Sequence, residues 1–223
     1  MSEAHLLDTT ALFAVLPDRV RLSLSEKAIR QEIKRGNNIF RRNDPSTSLY
    51  IVEQGRIAIA TTPSGGRETV LAVLESGELF GELPLFDDAP RSADARALVD
   101  SHVLEFDYET LRDVFNQHPQ ILWLVVKLIV ERLRSTDEAL SDAMFLDVPA
   151  RTAKRLLELS NYQTTFILTT TQEELSSLVG ASRERVNKAI ALFLKLGWIS
   201  LEGRNNYTIN DRQALTDRAG GKV

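Results

Sequence analysis

Residues Phe80–Ser92 read FGELPLFDDAPRS, which places Arg91 and Ser92 nine and ten positions after Glu82, with Gly81 just before it. These residue types could hold an anion. Arginine stays charged when desolvated and presents paired N–H donors, serine adds a hydroxyl, and glycine lets the backbone approach a ligand closely. The same residues also suit an exposed loop with solvated acids, Asp87 and Asp88 among them, and the stretch alone does not decide. A second group, Arg183, Glu184, Asn187 and Lys188, falls at i, i+1, i+4 and i+5. On a helix these four leave one face. Arginine and lysine donate to guanine O6 and N7, and glutamate accepts from cytosine N4, so that face is equipped to read base edges.

Groups suited to catalysis are sparse. The chain has no cysteine, which excludes disulfides, iron–sulfur clusters and cysteine-ligated zinc. His5, His102 and His118 stand singly, without a His-x-His pair. A metal-dependent β-barrel enzyme of the cupin type would want clustered histidines with a carboxylate and is the remote alternative. With no Ser/His/Asp set and no P-loop, the chain is expected to be neither an enzyme nor a metalloprotein, and to carry no cofactor.

The elements that must position both groups follow from composition and period. A chain of 223 residues that is 43% apolar can build one large or two ordinary domains. The N-terminus shows no secretory signal pattern, and the longest apolar run, Ile121–Val130, contains Lys127 and is far short of the roughly 20 residues a bilayer requires. A cytoplasmic protein without a membrane segment is expected. Net charge is −4, unevenly spread. Before Val148 there are 16 basic and 24 acidic residues, and from Val148 onward 11 and 7. The C-terminal third is therefore the part suited to a polyanion.

From about Ile33 to Asp107 short β-branched and apolar runs alternate with turn signals at Gly36-Asn37, Glu53–Gly55, Pro63–Gly66 and Ser76-Gly77, which suggests a small β-sandwich or barrel. Asp8–Glu32 and Tyr108–Asn116 read as helical, and the tail Ala219–Val223 as disordered. Beyond Pro119 the period changes. Leu122, Val126, Ile129, Leu133, Thr136, Leu140 and Ala143 are spaced 4, 3, 4, 3, 4, 3, a heptad seam expected to pair with a second copy. Arg132, Arg134, Asp137, Glu138 and Asp142 flank the seam, and Pro149 breaks the helix at Asp147–Pro149 to form a hinge. Thr171 and Glu174 form a capping-box pattern, Gly180 a turn, Ser182 the next cap, and Trp198–Ile209 a two-stranded wing.

The glycine–glutamate and arginine–serine loop, the long helix ending in Phe145–Val148, and Leu178–Val186 (LVGASRERV) together resemble the CRP/FNR family of bacterial transcription regulators, most of all its cyclic-AMP receptor branch, from about Phe13 to Ile209. The resemblance implies an α+β chain with an N-terminal β-jelly-roll cyclic-nucleotide-binding domain (1–117), a long dimerisation helix (118–147) and a C-terminal winged helix-turn-helix (148–223). The opening stretch then resembles a phosphate-binding cassette of Gly81, Glu82, Leu83, Arg91 and Ser92. By that resemblance Arg91 neutralises a cyclic phosphate, Ser92 donates its hydroxyl, and Glu82 accepts from the ribose 2′-hydroxyl. Thr136 matches the seam position that contacts adenine. The next residue, serine in the family's best-known member, is Asp137 here, which suits adenine's 6-amino group and opposes a guanine carbonyl. Pro84 stands where a small residue is common.

Implied DNA contacts are Thr171, Ser182, Arg183, Glu184, Asn187 and Lys188, at half-sites like TGTGA. The implied homodimer interface comprises Val126, Ile129, Leu133, Thr136 and Leu140. Cyclic AMP is the implied allosteric ligand, double-stranded DNA the macromolecular partner, and RNA polymerase a further contact. A regulator of this type with a different ligand, or with none, is the nearer alternative.

Overall fold

The computed structural model describes residues 7, 10, 12–62, 68–168, 170–203 and 205–221. The chain divides into two compact units, Met1–Leu133 and Arg134–Val223. Helix α1 (Asp18–Lys27) precedes the strands of the first unit. Strands β1 (Ile29–Ile33), β2 (Asn38–Phe40), β3 (Ser48–Gln54), β4 (Ile57–Thr61), β5 (Thr69–Leu74) and β6 (Leu79–Phe80) follow, then the short helix α2 (Pro84–Asp87) and strands β7 (Asp94–Ala97) and β8 (Ser101–Asp107). They form two four-stranded antiparallel sheets, ordered β1-β8-β3-β6 and β2-β7-β4-β5. This is the expected jelly-roll. Because side chains alternate across a strand, Leu49 and Ile51 of β3 and Leu104 and Phe106 of β8 enter a core shared with the helices. Tyr50, Val52 and Val103 enter a second core with Ile57, Leu74, Phe80, Ala95 and Ala97.

Helix α3 (Tyr108–Gln117), capped by the Asp107 carboxylate at Thr110 N, leads to the long helix α4 (Gln120–Phe145). Ile121 and Val125 of α4 are buried, with Leu124, Leu128 and Ile129 partly so. On the exposed side lie Leu122, Val126, Leu133 and Leu140, the last two 58% and 60% accessible. Helix α5 (Val148–Leu159) begins the winged portion of the second unit, followed by β9 (Thr165–Ile167), α6 (Gln172–Val179), α7 (Arg183–Lys195), β10 (Ile199–Glu202), β11 (Asn206–Ile209) and α8 (Arg212–Arg218). Their core joins Val148, Leu156, Leu175, Val186, Phe193, Ile199 and Tyr207.

Four expectations need correction. Among the described residues of the helix expected over Asp8–Glu32, only Asp18–Lys27 is helical, and Thr10 and residues 12–16 lie in turns and bends. Ile29–Ile33 instead pairs with Ser101–Glu105, where β8 supplies ladder partners that a single-sequence reading cannot see. Pro149 does not simply interrupt. It sits in the first turn of α5, where its missing N–H costs no helical bond, and Asp147 caps that turn by accepting from Ala150 N at 2.9 Å. The wing has a third strand, β9, whose Phe166 lies opposite Tyr207. Ala219 is buried behind α8 rather than disordered, and Gly220 and Gly221 continue the chain. Lys222 and Val223, the Pro63–Gly66 turn and His5 lie outside the described residues.

Candidate nucleotide pocket and nucleic-acid interface

The ends of three neighbouring strands meet around Arg91. Ser48 of β3 lies opposite Asp107 of β8, and Tyr50 of β3 opposite Phe80 of β6. Ser48, Gly81 and Tyr108 therefore cluster at one end of this sheet. Arg91, only 4% exposed, enters this cluster from the loop before β7. Its backbone is fixed to the Asn43-Asp44 turn, donating to Asp44 O at 3.0 Å and accepting from Asn43 N at 2.8 Å. Its Nη1 donates to Gly81 O at 2.9 Å and to the Tyr108 hydroxyl at 3.2 Å, and Nη2 donates to Ser48 O at 2.7 Å. The guanidinium lies 4.1 Å from the Phe40 ring centre and 5.5 Å from that of Tyr50.

All these partners are neutral. Among the described residues no carboxylate lies within ion-pair distance of Arg91, and its buried Nε has no acceptor. A buried guanidinium without a counter-charge carries a desolvation cost that carbonyls and aromatic faces offset only in part. Gly81 is needed here. It has φ +76°, and a Cβ at this position would fall 2.5 Å from Arg91 Nη1.

Glu82 is 3% exposed and does not face solvent. Arg132 of α4 donates to its carboxylate and to Leu79 O. Arg132 was expected only as an exposed flank of the seam. A buried carboxylate requires a cation, but nothing local in the sequence marks Glu82 as buried or Arg132, 50 residues on, as its partner. Leu83 is exposed and leads into α2, with Pro84 at its first turn. Ser92 is exposed beside the arginine. Asp88, expected as a free turn acid, adopts φ +53° and pairs with Arg112 at 2.8 Å, while Asp87 accepts from Ala89 N. The structure thus brings Gly81, Glu82 and Arg91 together. Thr136 and Asp137 lie exposed on the part of α4 that belongs to the second unit.

In the second unit the capping box forms as expected. Glu174 N donates to Thr171 Oγ1 at 3.2 Å, and Thr171 N to Glu174 Oε2 at 2.9 Å. Gly180 takes φ +67°, and Ala181 N donates to Ser176 O at 3.1 Å, which turns the chain sharply out of α6. Ser182 then caps α7, accepting from Arg185 N at 3.4 Å. Val186, Ala189, Ile190 and Phe193 form the buried stripe of α7. Arg183, Glu184, Asn187 and Lys188 are exposed on the other side, near the helix N-terminus. Lys188 donates to Glu184 at 2.6 Å and holds that carboxyl below its ordinary value.

Arg151 of α5, which the sequence did not single out, fixes the turn. Its Nε donates to Val179 O at 3.0 Å and its Nη1 to Leu146 O at 2.8 Å, satisfying carbonyls at the end of α6 and just after α4.

Residues 30–118 match the family model for a cyclic nucleotide-binding domain, and residues 150–218 match that for a Crp-like helix-turn-helix domain. The chain is 37% identical to the CRP-like cAMP-activated global transcriptional regulator of Mycobacterium tuberculosis, over 84% of this chain and 87% of that one. It is 31% identical to the cyclic AMP receptor protein of Thermus thermophilus, over 92% and 94% of the two chains. Among solved structures, the c-di-GMP responsive global regulator CLP of Xanthomonas campestris is similar with a TM-score of 0.73 at 27% identity, over 83% of this chain and 95% of that one.

Proposed function

The chain belongs to the CRP/FNR family of transcription regulators, and from that premise we propose that it is a homodimer whose binding to palindromic TGTGA-like DNA is switched by cyclic AMP. The observation that carries this reading is Arg91. A buried cation held only by neutral groups, its Nε without an acceptor, suits an anion, and a cyclic phosphate supplies a complementary charge. Gly81 supports close approach, and in this reading the Glu82 carboxylate, which pairs with Arg132, accepts from the ribose hydroxyl. The adenine falls to Thr136 and Asp137, whose carboxylate suits a 6-amino donor. Arg183, Glu184 and Lys188 read base edges, with Asn187 and the capping residues Thr171 and Ser182 beside them. RNA polymerase is the further partner of the DNA-bound form.

Gating draws its energy only from the difference in nucleotide affinity between the inactive and active arrangements. Calorimetry tests the pocket. Wild type is expected to bind cyclic AMP more tightly than cyclic GMP, and Arg91→Leu to abolish that binding. Because the substitution leaves acceptors unpaired, it also costs about 1–3 kcal/mol of stability, so folding is checked by circular dichroism. Unchanged affinity in the variant, or tight binding of cyclic di-GMP instead of cyclic AMP, would overturn this assignment of the site.

A further inference from the structure

Tyr108 lies outside the cassette in sequence, yet its hydroxyl is the hub of the cluster around Arg91. It donates to Gly81 O, accepts from Arg91 Nη1 at 3.2 Å and shares a 2.7 Å hydrogen bond with Ser46 Oγ. A phenol has one proton and two lone pairs. With that proton on Gly81 O, both lone pairs are filled if Ser46 donates, so the group is fully used.

The tyrosine itself is immobilised. It is 4% exposed, its backbone N donates to Thr47 O at 2.8 Å, and it is the first residue of a helix capped by Asp107. Gly81 O consequently accepts from both Tyr108 and Arg91, and the three groups form a closed triangle.

We infer that Tyr108 is the positioning residue of the anion site: its hydroxyl fixes the Gly81 carbonyl and one amino group of Arg91, so that the guanidinium is presented in a single orientation. The inference rests on the nucleotide reading above for the identity of the anion, but not for the triangle itself. Without the hydroxyl, Nη1 keeps one acceptor in place of two, and the guanidinium gains rotational freedom at the point where a bidentate contact demands a fixed fork. Affinity then falls through loss of pre-organisation, with no direct contact removed.

Tyr108→Phe keeps the ring and removes only the hydroxyl. Two readouts separate positioning from a structural role in the intact, folded protein. The first is side-chain 15N NMR of Arg91 without ligand. Slowly rotating, resolved Nη protons are expected in wild type, and averaged ones in Tyr108→Phe. The second is calorimetry with cyclic AMP and the two diastereomers of its phosphorothioate. The variant is expected to bind cyclic AMP about tenfold more weakly, the size of a lost hydrogen bond to a charged group, with an altered diastereomer ratio. A merely structural role lowers the unfolding midpoint and leaves that ratio alone. Arg91 signals that stay resolved in Tyr108→Phe overturn the inference whatever the nucleotide data show. Averaged signals, combined with no cyclic-nucleotide binding by wild type, uphold the positioning role and overturn the nucleotide reading.

Discussion

Glu184 and Lys188 are both about three-quarters exposed, with side-chain accessibilities of 75% and 74%, and their pairing across one helical turn of α7 is open to water. Such a pair contributes little to folding. If Glu184 instead accepts from a cytosine, Glu184→Ala leaves the unfolding midpoint nearly unchanged and relaxes discrimination at one base pair by roughly 1–3 kcal/mol. Binding assays on single-base operator variants measure this, and uniform weakening at every position would show that Glu184 reads no base. Arg91 is the opposite case, interior and tied to three neutral groups. The sequence alone showed only a possible anion site around it, and its role came from the family resemblance of the Gly81-Glu82 and Arg91-Ser92 loop. Tyr108 and Arg132 were not legible. Each reaches the site through tertiary contact from a distant element, and neither stands in a local pattern.

At the scale of elements, α4 presents two faces. Its Ile121, Val125 face is buried in its own unit, whereas Leu133 and Leu140 remain among the exposed apolar residues. Covering a leucine is worth about 1.5–3 kcal/mol, so a partner helix is the natural cover. Leu133→Glu is accordingly expected to give monomers in sedimentation, and a dimer of unchanged stability would count against the seam. The heptad spacing was readable because it persists over many turns of one helix. The short strand β9 was not, since a three-residue run declares itself only through its pairing with β11.

The junction between α4 and α5 is bound more firmly than an open hinge. Lys154 pairs with Asp142 at 2.6 Å, Arg151 holds Leu146 O, and Arg218 pairs with Asp147 at 2.6 Å. The Arg218 guanidinium, followed by the Ala150 N–H, lowers the Asp147 pKa. A depressed carboxylate stabilises the fold above its unfolded pKa, and that contribution is lost as pH falls through the folded one. Wild type should therefore lose stability on acidification from the ordinary aspartate value, 3.8, downward. Asp147→Asn should show a weaker pH dependence in that window, measured by thermal unfolding. Identical profiles would mean that the pair contributes nothing.

For the whole molecule, the charge division legible in the sequence, acidic before Val148 and basic after it, matches the assignment of the two matched family domains to nucleotide sensing and DNA binding. A dimer that presents its two recognition helices about 34–36 Å apart meets successive major grooves on one side of DNA. What ties sensor to reader is the claim that nucleotide occupancy changes DNA affinity. Fluorescence anisotropy of a labelled TGTGA palindrome, titrated with the protein at fixed salt with and without cyclic AMP or cyclic GMP, tests it directly. Cyclic AMP is predicted to tighten binding to the palindrome and cyclic GMP to leave it nearly unchanged, whereas one DNA affinity across all conditions would contradict a nucleotide-gated regulator.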